Sequence, residues 1–231
     1  NKRGQGEIMN MRTGVWAGTA LSLLLASAAQ AALVSRLGGQ AVYDTDRNIT
    51  WLADANLAAS NTFGVSGITD TGQMSWTTAN EWTAAMNTAN YLGYSDWRLP
   101  TTPQPDPSCN GQVGRDSYGY YCTGSEMGHL FYGELGGVAG YSIGMTYNDN
   151  FDLFSNVQAG LYWSGTSYAP ISAQAWRFSF GDGLQGPSLK YYAYASRAWA
   201  VRPGDVIPLP GALWLLGSAL GVLGAVRCKV Q

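Results

Sequence analysis

The sequence predicts an α+β domain with many loops, in which two short helices pack on antiparallel sheets. Strand-like alternation occurs near residue 41 and again after residue 160, and two helix start signals lie between these regions. Strands followed by helices and then by more strands are typical of an α+β domain. With 231 residues, of which 46% are hydrophobic, the chain can supply one ordinary core.

The strands are predicted from alternation of apolar and polar residues. Residues 41–44 and 49–52, separated by Asp46, Arg47 and Asn48, have the pattern of a β-hairpin. Further strands are predicted after residue 160, at residues 161–166, 175–180, 190–194 and 198–202. A Gly-Asp-Gly turn at residues 181–183 is expected after the strand at residues 175–180. We expect the terminal strands to pair with each other.

Two helices are predicted between the strands. Thr78 and Glu81 have the spacing of a capping box, and apolar residues recur at helical spacing to about residue 90. Thr123 and Glu126 repeat this signal, and the second helix is expected to stop at a Gly-Gly pair. Residues 138–158 fit neither period, and a loop of that length is usually functional or mobile.

The N-terminal segment has the features of an export signal. Residues 11–31 combine an early arginine, an apolar run and a small-residue site, which predicts a signal peptide cleaved between Ala31 and Ala32. Residues 1–10 are interpreted as an upstream or non-native leader. The mature domain is therefore expected to span residues 32–205.

The C-terminal segment, residues 206–231, has the features of a membrane anchor. Residues 209–226 carry no charge and are followed by Arg227 and Lys229, which predicts a transmembrane span with a cytoplasmic basic end. A buried core helix is the alternative interpretation of this apolar run.

Composition and charge argue against several classes of protein. Charged residues make up only 12% of the chain, which is not typical of disordered or coiled-coil proteins. Residues 32–207 hold eight Lys or Arg and fourteen Asp or Glu, a formal charge of −6. An acidic domain with scattered arginines repels nucleic-acid phosphates, so nucleic acid is not an expected partner.

Two of the three cysteines lie in the predicted exported domain. Thiols in an oxidising compartment pair readily, which predicts a disulfide between Cys109 and Cys122. Zinc binding is the weaker alternative, because these two cysteines and the single histidine of the chain do not make a four-ligand set.

Candidate binding residues are concentrated in loops rich in Tyr, Asn and Asp. Loop tyrosines present a ring face and a hydroxyl, which suits stacking against sugars or contact with proteins. The predicted binding residues are Tyr118, Tyr120, Tyr121, Tyr141, Tyr147, Asn148, Asp149 and Asn150. Asp149 and Asp152 are also a candidate calcium pair, with a solvated loop as the alternative. No other cofactor is expected.

No catalytic site is expected. Glu126 and His129, three residues apart, are either an acid–base pair or, in the interpretation we favour, a capping residue and a packing residue. The stretch Gln104-Pro105-Asp106 matches a calcium-holding tripeptide of C-type lectins but is interpreted as a turn. The sequence contains no nucleophile elbow, phosphate loop or zinc-protease motif.

Four stretches resemble the Lcl C-terminal domain family. They are residues 93–101 (GYSDWRLPT), 125–130 (SEMGHL), 162–166 (YWSGT) and 200–204 (AVRPG). The resemblance implies a fold related to C-type lectins and to formylglycine-generating enzymes. It also implies a role like that of the surface adhesins in the family, which bind sulfated glycans.

The C-terminal segment resembles the PEP-CTERM class of sorting signal in its VPLPA variant. The resemblance rests on Pro208, Leu209 and Pro210, the apolar span, and the basic end at Arg227. It implies processing by an exosortase after export across the inner membrane of a Gram-negative bacterium. The domain would then reside at the cell surface, in the outer envelope or in the extracellular matrix.

These observations lead to three hypotheses about function. The first is a non-enzymatic binding module that contacts extracellular polysaccharide or matrix protein in adhesion, biofilm or envelope assembly. The second is a surface protein that self-associates into homo-oligomers without binding sugar. The third and most remote is an enzyme of the formylglycine-generating type. The acidic charge favours neutral or cationic polymers over sulfated ones.

Overall fold

The computed structural model describes residues 32–192 and 196–206. The predicted signal peptide and the apolar span at residues 209–226 lie outside the described residues, as do Pro208, Leu209, Pro210 and Arg227 of the sorting signal. Within the described part, no helix is both long enough and apolar enough to cross a membrane.

The described residues form short strands and helices joined by many loops. The strands are β1 (Leu33–Arg36), β2 (Ala41–Asp44), β3 (Ile49–Leu52), β4 (Gln73–Met74), β5 (Gly111–Val113), β6 (Asp116–Tyr118), β7 (Leu161–Ser167), β8 (Gln174–Ser179), β9 (Gln185–Leu189), β10 (Ser196–Arg197) and β11 (Val201–Pro203). The α-helices are α1 (Trp76–Thr88), α2 (Glu126–Gly128) and α3 (Ile143–Thr146). A π-helical turn, His129–Glu134, follows α2 directly. Short 3-10 turns occur at Leu37–Gly39, Leu57–Ala59, Tyr91–Gly93 and Asp149–Leu153.

The strands form two main sheets and a small hairpin. The four-stranded sheet has the order β1-β2-β3-β11, the five-stranded sheet has the order β4-β10-β7-β8-β9, and β5 pairs with β6. All of these pairings are antiparallel except that of β10 with β7. The predicted α+β class, the N-terminal hairpin and the pairing of terminal strands are therefore confirmed.

Aromatic side chains fill the space around the sheets. Among the described residues, six tryptophans are almost completely buried: Trp51, Trp82, Trp97, Trp163, Trp176 and Trp199. Several of their indole N–H groups donate to distant backbone carbonyls, such as Trp163 to Met74 at 2.9 Å. Buried indole nitrogens need such partners, so Trp82, Trp97, Trp163 and Trp199 each fix a loop or strand as well as filling the core, whereas the indole nitrogen of Trp51 has no partner.

The helix boundaries differ from the predicted ones. The cap of α1 is Ser75, whose hydroxyl accepts from the Thr78 N–H at 3.2 Å, and Glu81 is exposed on the helix surface. Ser125 caps α2 in the same way, accepting from Gly128 at 3.1 Å. Both predicted capping boxes were therefore wrong. Ser75 caps α1 in place of Thr78, and Ser125 caps α2 in place of Thr123.

The prediction of only two helices was also wrong. Within residues 138–158 the chain forms α3 and the 3-10 turn Asp149–Leu153. Only one residue of α3, Ile143, is buried, and its N–H donates to the carbonyl of Phe180 at 3.0 Å. A single-turn helix with one buried residue has no hydrophobic period, so its sequence does not reveal it.

The last predicted strands also have different boundaries. The strand predicted at residues 190–194 lies at β9 instead, because β8 pairs with Gln185–Leu189. Of the continuous strand predicted at residues 198–202, only residues 201 and 202 lie in a strand, β11. Residues 198–200 connect β10 to β11, which belong to different sheets. These three residues are all buried, so this apolar run predicted a strand where the chain makes a buried crossing.

The predicted disulfide is confirmed: Cys109 and Cys122 are joined with an S–S distance of 2.09 Å. Both cysteines are buried. Asp106 lies beside them, and its carboxylate accepts from the N–H groups of Ser108 at 3.1 Å and Gly124 at 2.9 Å. These bonds make the Gln104-Pro105-Asp106 stretch part of a turn that anchors the disulfide loop.

We expect the double change Cys109→Ser and Cys122→Ser to lower the free energy of unfolding by about 2–3 kcal/mol, because the bridge closes a short loop in the unfolded chain. The sequence separation of the two cysteines is 13. Urea denaturation followed by tryptophan fluorescence measures this loss, with Cys228→Ser as the control variant. A loss below about 0.5 kcal/mol would mean that the hydrogen bonds of Asp106 hold the loop without the bridge.

Candidate functional site

Residues 98–101 (Arg-Leu-Pro-Thr) lie where several distant segments of the chain meet. The backbone of Arg98 exchanges hydrogen bonds of 2.7 and 2.8 Å with Val201. The carbonyl of Pro100 accepts from the Ser164 hydroxyl and from the Gly165 N–H, both at 2.8 Å. Glu126, from the stretch at residues 125–130, also contacts this segment. The four stretches that carry the family resemblance therefore meet around residues 98–101.

Arg98 and Glu126 form a bidentate ion pair. Nη1 of Arg98 donates to Oε2 of Glu126 at 2.8 Å, and Nη2 donates to Oε1 at 2.7 Å. The N–H of Thr101 donates to Oε2 at 2.6 Å. The hydrogen bond with Glu126 raises the pKa of Arg98, although burial opposes this rise. Glu126 is therefore neither a cap nor an acid–base partner of His129, which corrects both sequence-based alternatives for this residue.

The first of two adjoining clefts lies between α1 and this segment. It has a volume of about 330 Å³ and is lined by Asn80, Thr83, Ala84, Asn87, Trp97, Arg98, Leu99, Thr101, Gly165 and Thr166. The Asn87 amide fixes its wall, donating to the Trp97 carbonyl and accepting from the Trp97 N–H, both at 2.8 Å. The buried Trp97 thus lies at the base of a cleft with a mostly uncharged polar rim.

The second cleft adjoins the first. It has a volume of about 320 Å³ and is lined by Thr101, Thr102, Pro103, Gln104, Asp116, Thr166, Ser167, Ala169 and Trp176. Thr101 and Thr166 line both clefts. The edge of the second cleft is fixed by Tyr168, whose hydroxyl donates to Asp116 at 2.9 Å and whose ring packs edge-on against Trp176.

The chemistry of the clefts suits a ligand with many hydroxyl groups. Threonine and serine hydroxyls and asparagine and glutamine amides both donate and accept hydrogen bonds. Their rims hold no unpaired basic group: the guanidinium of Arg98 is neutralised by Glu126, and Asp116 is the charged residue of the second cleft. Concave sites with an apolar base and a few polar groups are typical of small-ligand binding.

The tyrosines predicted to bind a ligand lie elsewhere. Tyr118, Tyr121, Tyr141 and Tyr147 are 40–54% exposed, whereas Tyr120 is half-buried. Tyr121 packs against Tyr132 with a centroid distance of 5.6 Å, and Tyr147 stacks on Phe151 at 4.7 Å. None of the eight predicted binding residues lines either cleft.

The Asn and Asp residues of the 148–152 stretch differ in their environments. The amides of Asn148 and Asn150 both donate to the Glu134 carbonyl at 2.9 Å, so these two side chains hold the loop against the domain. Asp149 and Asp152 are exposed, and within the described residues neither belongs to a group of three or more potential metal ligands. Calcium binding by this pair remains a prediction.

The sequence matches no protein-family model, and it matches no curated protein. The candidate site therefore rests on geometry. Sequence reasoning missed the clefts because their walls come from separate segments of the chain that share no motif. The sequence signal that could have located the clefts is the pair of stretches at residues 98–101 and 162–166, which resemble a known family and contribute residues to both clefts.

Proposed function

We propose that the chain is an exported binding module, displayed at the surface or in the extracellular matrix, that binds a neutral polysaccharide in its two clefts. The observation that carries this proposal is the continuity of the clefts through Thr101 and Thr166. Two adjoining cavities of similar volume suit successive sugar units of a chain better than one compact molecule. The exposed apolar part of the lining comes from Ala84, Pro103 and Ala169, because Trp97 and Trp176 are only 2% and 1% exposed.

The charge of the clefts favours a neutral ligand over a sulfated one. The only arginine in the clefts is engaged by Glu126, and Asp116 repels sulfate or carboxylate groups. The formal charge of −6 over residues 32–207 adds a general repulsion for polyanions. This ligand class differs from that of the sulfated-glycan adhesins in the family that the sequence resembles.

The family resemblance supports the proposal in a second way. Its four stretches are far apart in sequence, yet the other three each contact residues 98–101 of the first. We propose on this basis a relationship to the Lcl C-terminal domain and its lectin-like fold. The PEP-CTERM-like tail supports processing by an exosortase and placement in a Gram-negative envelope or matrix. The formylglycine-generating resemblance concerns the fold only, so we propose no enzymatic activity.

Thermal unfolding of the full chain with neutral, acidic and sulfated polysaccharides tests the binding proposal. A ligand at one hundred times its Kd adds about 2.7 kcal/mol of stability, which raises Tm by several degrees. We expect neutral polysaccharides alone to produce this rise. No rise with any neutral polymer, or a rise confined to sulfated ones, would contradict the proposal.

Thr101→Val locates the binding site. Within the described residues the Thr101 hydroxyl makes no internal hydrogen bond, so its loss leaves the fold unchanged while removing a polar group common to both clefts. We expect affinity to fall about fivefold to tenfold, which corresponds to one hydrogen bond. Tyr141→Ala, outside the clefts, is the control. Binding lost in the control but kept in Thr101→Val would move the site to the tyrosine loops.

One observation favours self-association as a second candidate function. The segment around α3 exposes several apolar side chains, including Met145 (75% exposed), Tyr141 (54%) and Val138 (47%). Exposed apolar groups close together in sequence are typical of protein contact surfaces. Sedimentation without polysaccharide distinguishes the two functions: a mass that rises with concentration and falls in Met145→Lys supports self-association.

A further inference from the structure

Four ionisable side chains converge outside the clefts and make what we call the carboxylate–histidine cluster: Asp44, Asp46, His129 and Glu134. Nε2 of His129 lies 3.2 Å from Oε1 of Glu134 and 3.7 Å from Oδ2 of Asp44. One ligand atom each of Asp46, His129 and Glu134 lies within 4.8 Å of the others. The cluster thus joins the end of β2 and its turn to the segment that follows α2.

The π-helical turn His129–Glu134 creates half of this cluster. In an α-helix, residues five apart point in directions about 140° apart around the axis. Here the wider turn, closed by a bond of 2.9 Å from the Leu135 N–H to the Leu130 carbonyl, brings both side chains to one side. Single π-helical turns within helices are frequent at functional sites.

Two polar atoms that face each other in the cluster lack a hydrogen-bond partner. Asp44 is fully buried, and its Oδ2 has none, although its Oδ1 accepts from the Arg47 N–H at 2.9 Å. Nε2 of His129 is likewise buried without a partner, because its contact with Glu134 lacks hydrogen-bond alignment. A buried carboxylate oxygen without a partner is costly, and such groups in native proteins usually have a specific explanation.

The cluster concentrates negative charge in a shielded place. Burial, followed by the charges of Asp44 and Asp46, raises the pKa of Glu134 to about 7. Burial also raises the pKa of Asp44 and lowers that of His129. Arg47 is the nearby basic group, but its guanidinium donates to the carbonyls of Thr123 and Gly124. A bound cation would offset the repulsion that remains.

We propose that the carboxylate–histidine cluster binds one Zn²⁺ ion. Zinc takes four ligands at about 2.0–2.1 Å from histidine nitrogen and carboxylate oxygen, and a tetrahedron of that size has edges of about 3.3–3.4 Å. The separations of 3.2 and 3.7 Å from Nε2 bracket this length. Three donors lie mutually close, those of Asp46, His129 and Glu134, and Asp44 is placed beside them by its separation of 3.7 Å from Nε2 of His129. A set this small that includes an imidazole does not suit calcium, which takes six to eight oxygens. Asp46 is exposed and provides the entry path.

The ion would connect two parts of the chain that are distant in sequence. Asp44 and Asp46 belong to the hairpin of β2 and β3, whereas His129 and Glu134 follow the disulfide loop. A metal held by both would stabilise the folded state in proportion to its affinity. This inference does not depend on polysaccharide binding, because no cluster residue lines either cleft.

Zinc titration of the metal-free full chain tests the proposal. All proteins carry Cys228→Ser, because a free thiol would itself bind zinc. We expect calorimetry to give one Zn²⁺ per chain, Tm to rise by several degrees, and a chelator to reverse the rise. Co²⁺ in place of zinc would give the visible absorption of a tetrahedral site. Absence of saturable binding at one ion per chain overturns the proposal.

Two nearly isosteric variants and one control assign the ion to the cluster. His129→Gln and Glu134→Gln each remove one ligand, and we expect each to weaken zinc binding at least about 100-fold, more than loss of a supporting outer-shell group. The Co²⁺ spectrum should change in both even if their stability is reduced. The control, Asp149→Asn with Asp152→Asn, should bind zinc unchanged. Zinc affinity unaffected in both cluster variants, or lost in the control alone, would overturn the assignment.

Discussion

Replacement of Arg98 by methionine is expected to lower the free energy of unfolding by about 2 kcal/mol, less than for a fully buried pair because the Arg98 side chain is 36% exposed. The change leaves the Glu126 carboxylate, whose side chain is only 11% exposed, without its bidentate partner. Removing one member of a buried pair is costly because the other charge stays desolvated. Chemical denaturation followed by tryptophan fluorescence measures the loss.

A matched control separates this effect from the general loss of a surface charge. Asp96 pairs with Arg202 at 2.7 Å, but its side chain is 44% exposed. We expect Asp96→Asn to cost less than about 1 kcal/mol, as exposed ion pairs usually do. Adding Glu126→Leu to Arg98→Met should recover part of the loss by removing the stranded charge. If Arg98→Met costs no more than Asp96→Asn, water replaces the guanidinium and the pair does not hold the segments together.

The parts of the fold that sequence reasoning found are those encoded by neighbouring residues. The hairpin of β2 and β3 follows from alternation on both sides of a short polar turn, and its register pairs Ala41 with Leu52. The disulfide follows from the number of cysteines and the expected compartment. Both inferences use residues within about 15 positions of each other. Over so short a separation the chain can place two residues in only a few arrangements.

The parts that were missed depend on contacts between distant residues. Arg98 and Glu126 are 28 positions apart, and Pro100 and Ser164 are 64 apart. No repeating pattern of neighbouring residues specifies pairs this far apart. The clefts around them could therefore not be located from the sequence. His129 is predicted to be a packing residue whose helical neighbours one turn away are Glu126 and Gly133. The π-helical turn instead places Glu134 beside it.

The aromatic core should be most sensitive at Trp199. Its ring contacts those of four aromatic residues at centroid distances of 5.2–5.6 Å, namely Trp51, Phe154, Tyr162 and Phe180. Its N–H donates to the Leu52 carbonyl at 2.8 Å. Trp199 lies in the segment that crosses from β10 to β11. Its ring therefore contacts Trp51 of the four-stranded sheet and Tyr162 of the five-stranded sheet. We expect Trp199→Ala to lower the free energy of unfolding by about 5 kcal/mol, from lost burial and a large cavity.

Two variants make this expectation decisive. Trp199→Phe keeps most ring contacts but removes the donor to Leu52, and we expect a loss of about 2 kcal/mol that remains measurable if the alanine variant does not fold. Trp76→Ala is the control, because Trp76 also donates to a backbone carbonyl, that of Ser164 at 2.8 Å, but is only half-buried. Its loss should be clearly smaller than that of Trp199→Ala. Equal losses at Trp76 and Trp199 would mean that the hydrogen bond, rather than packing between the sheets, determines stability at both positions.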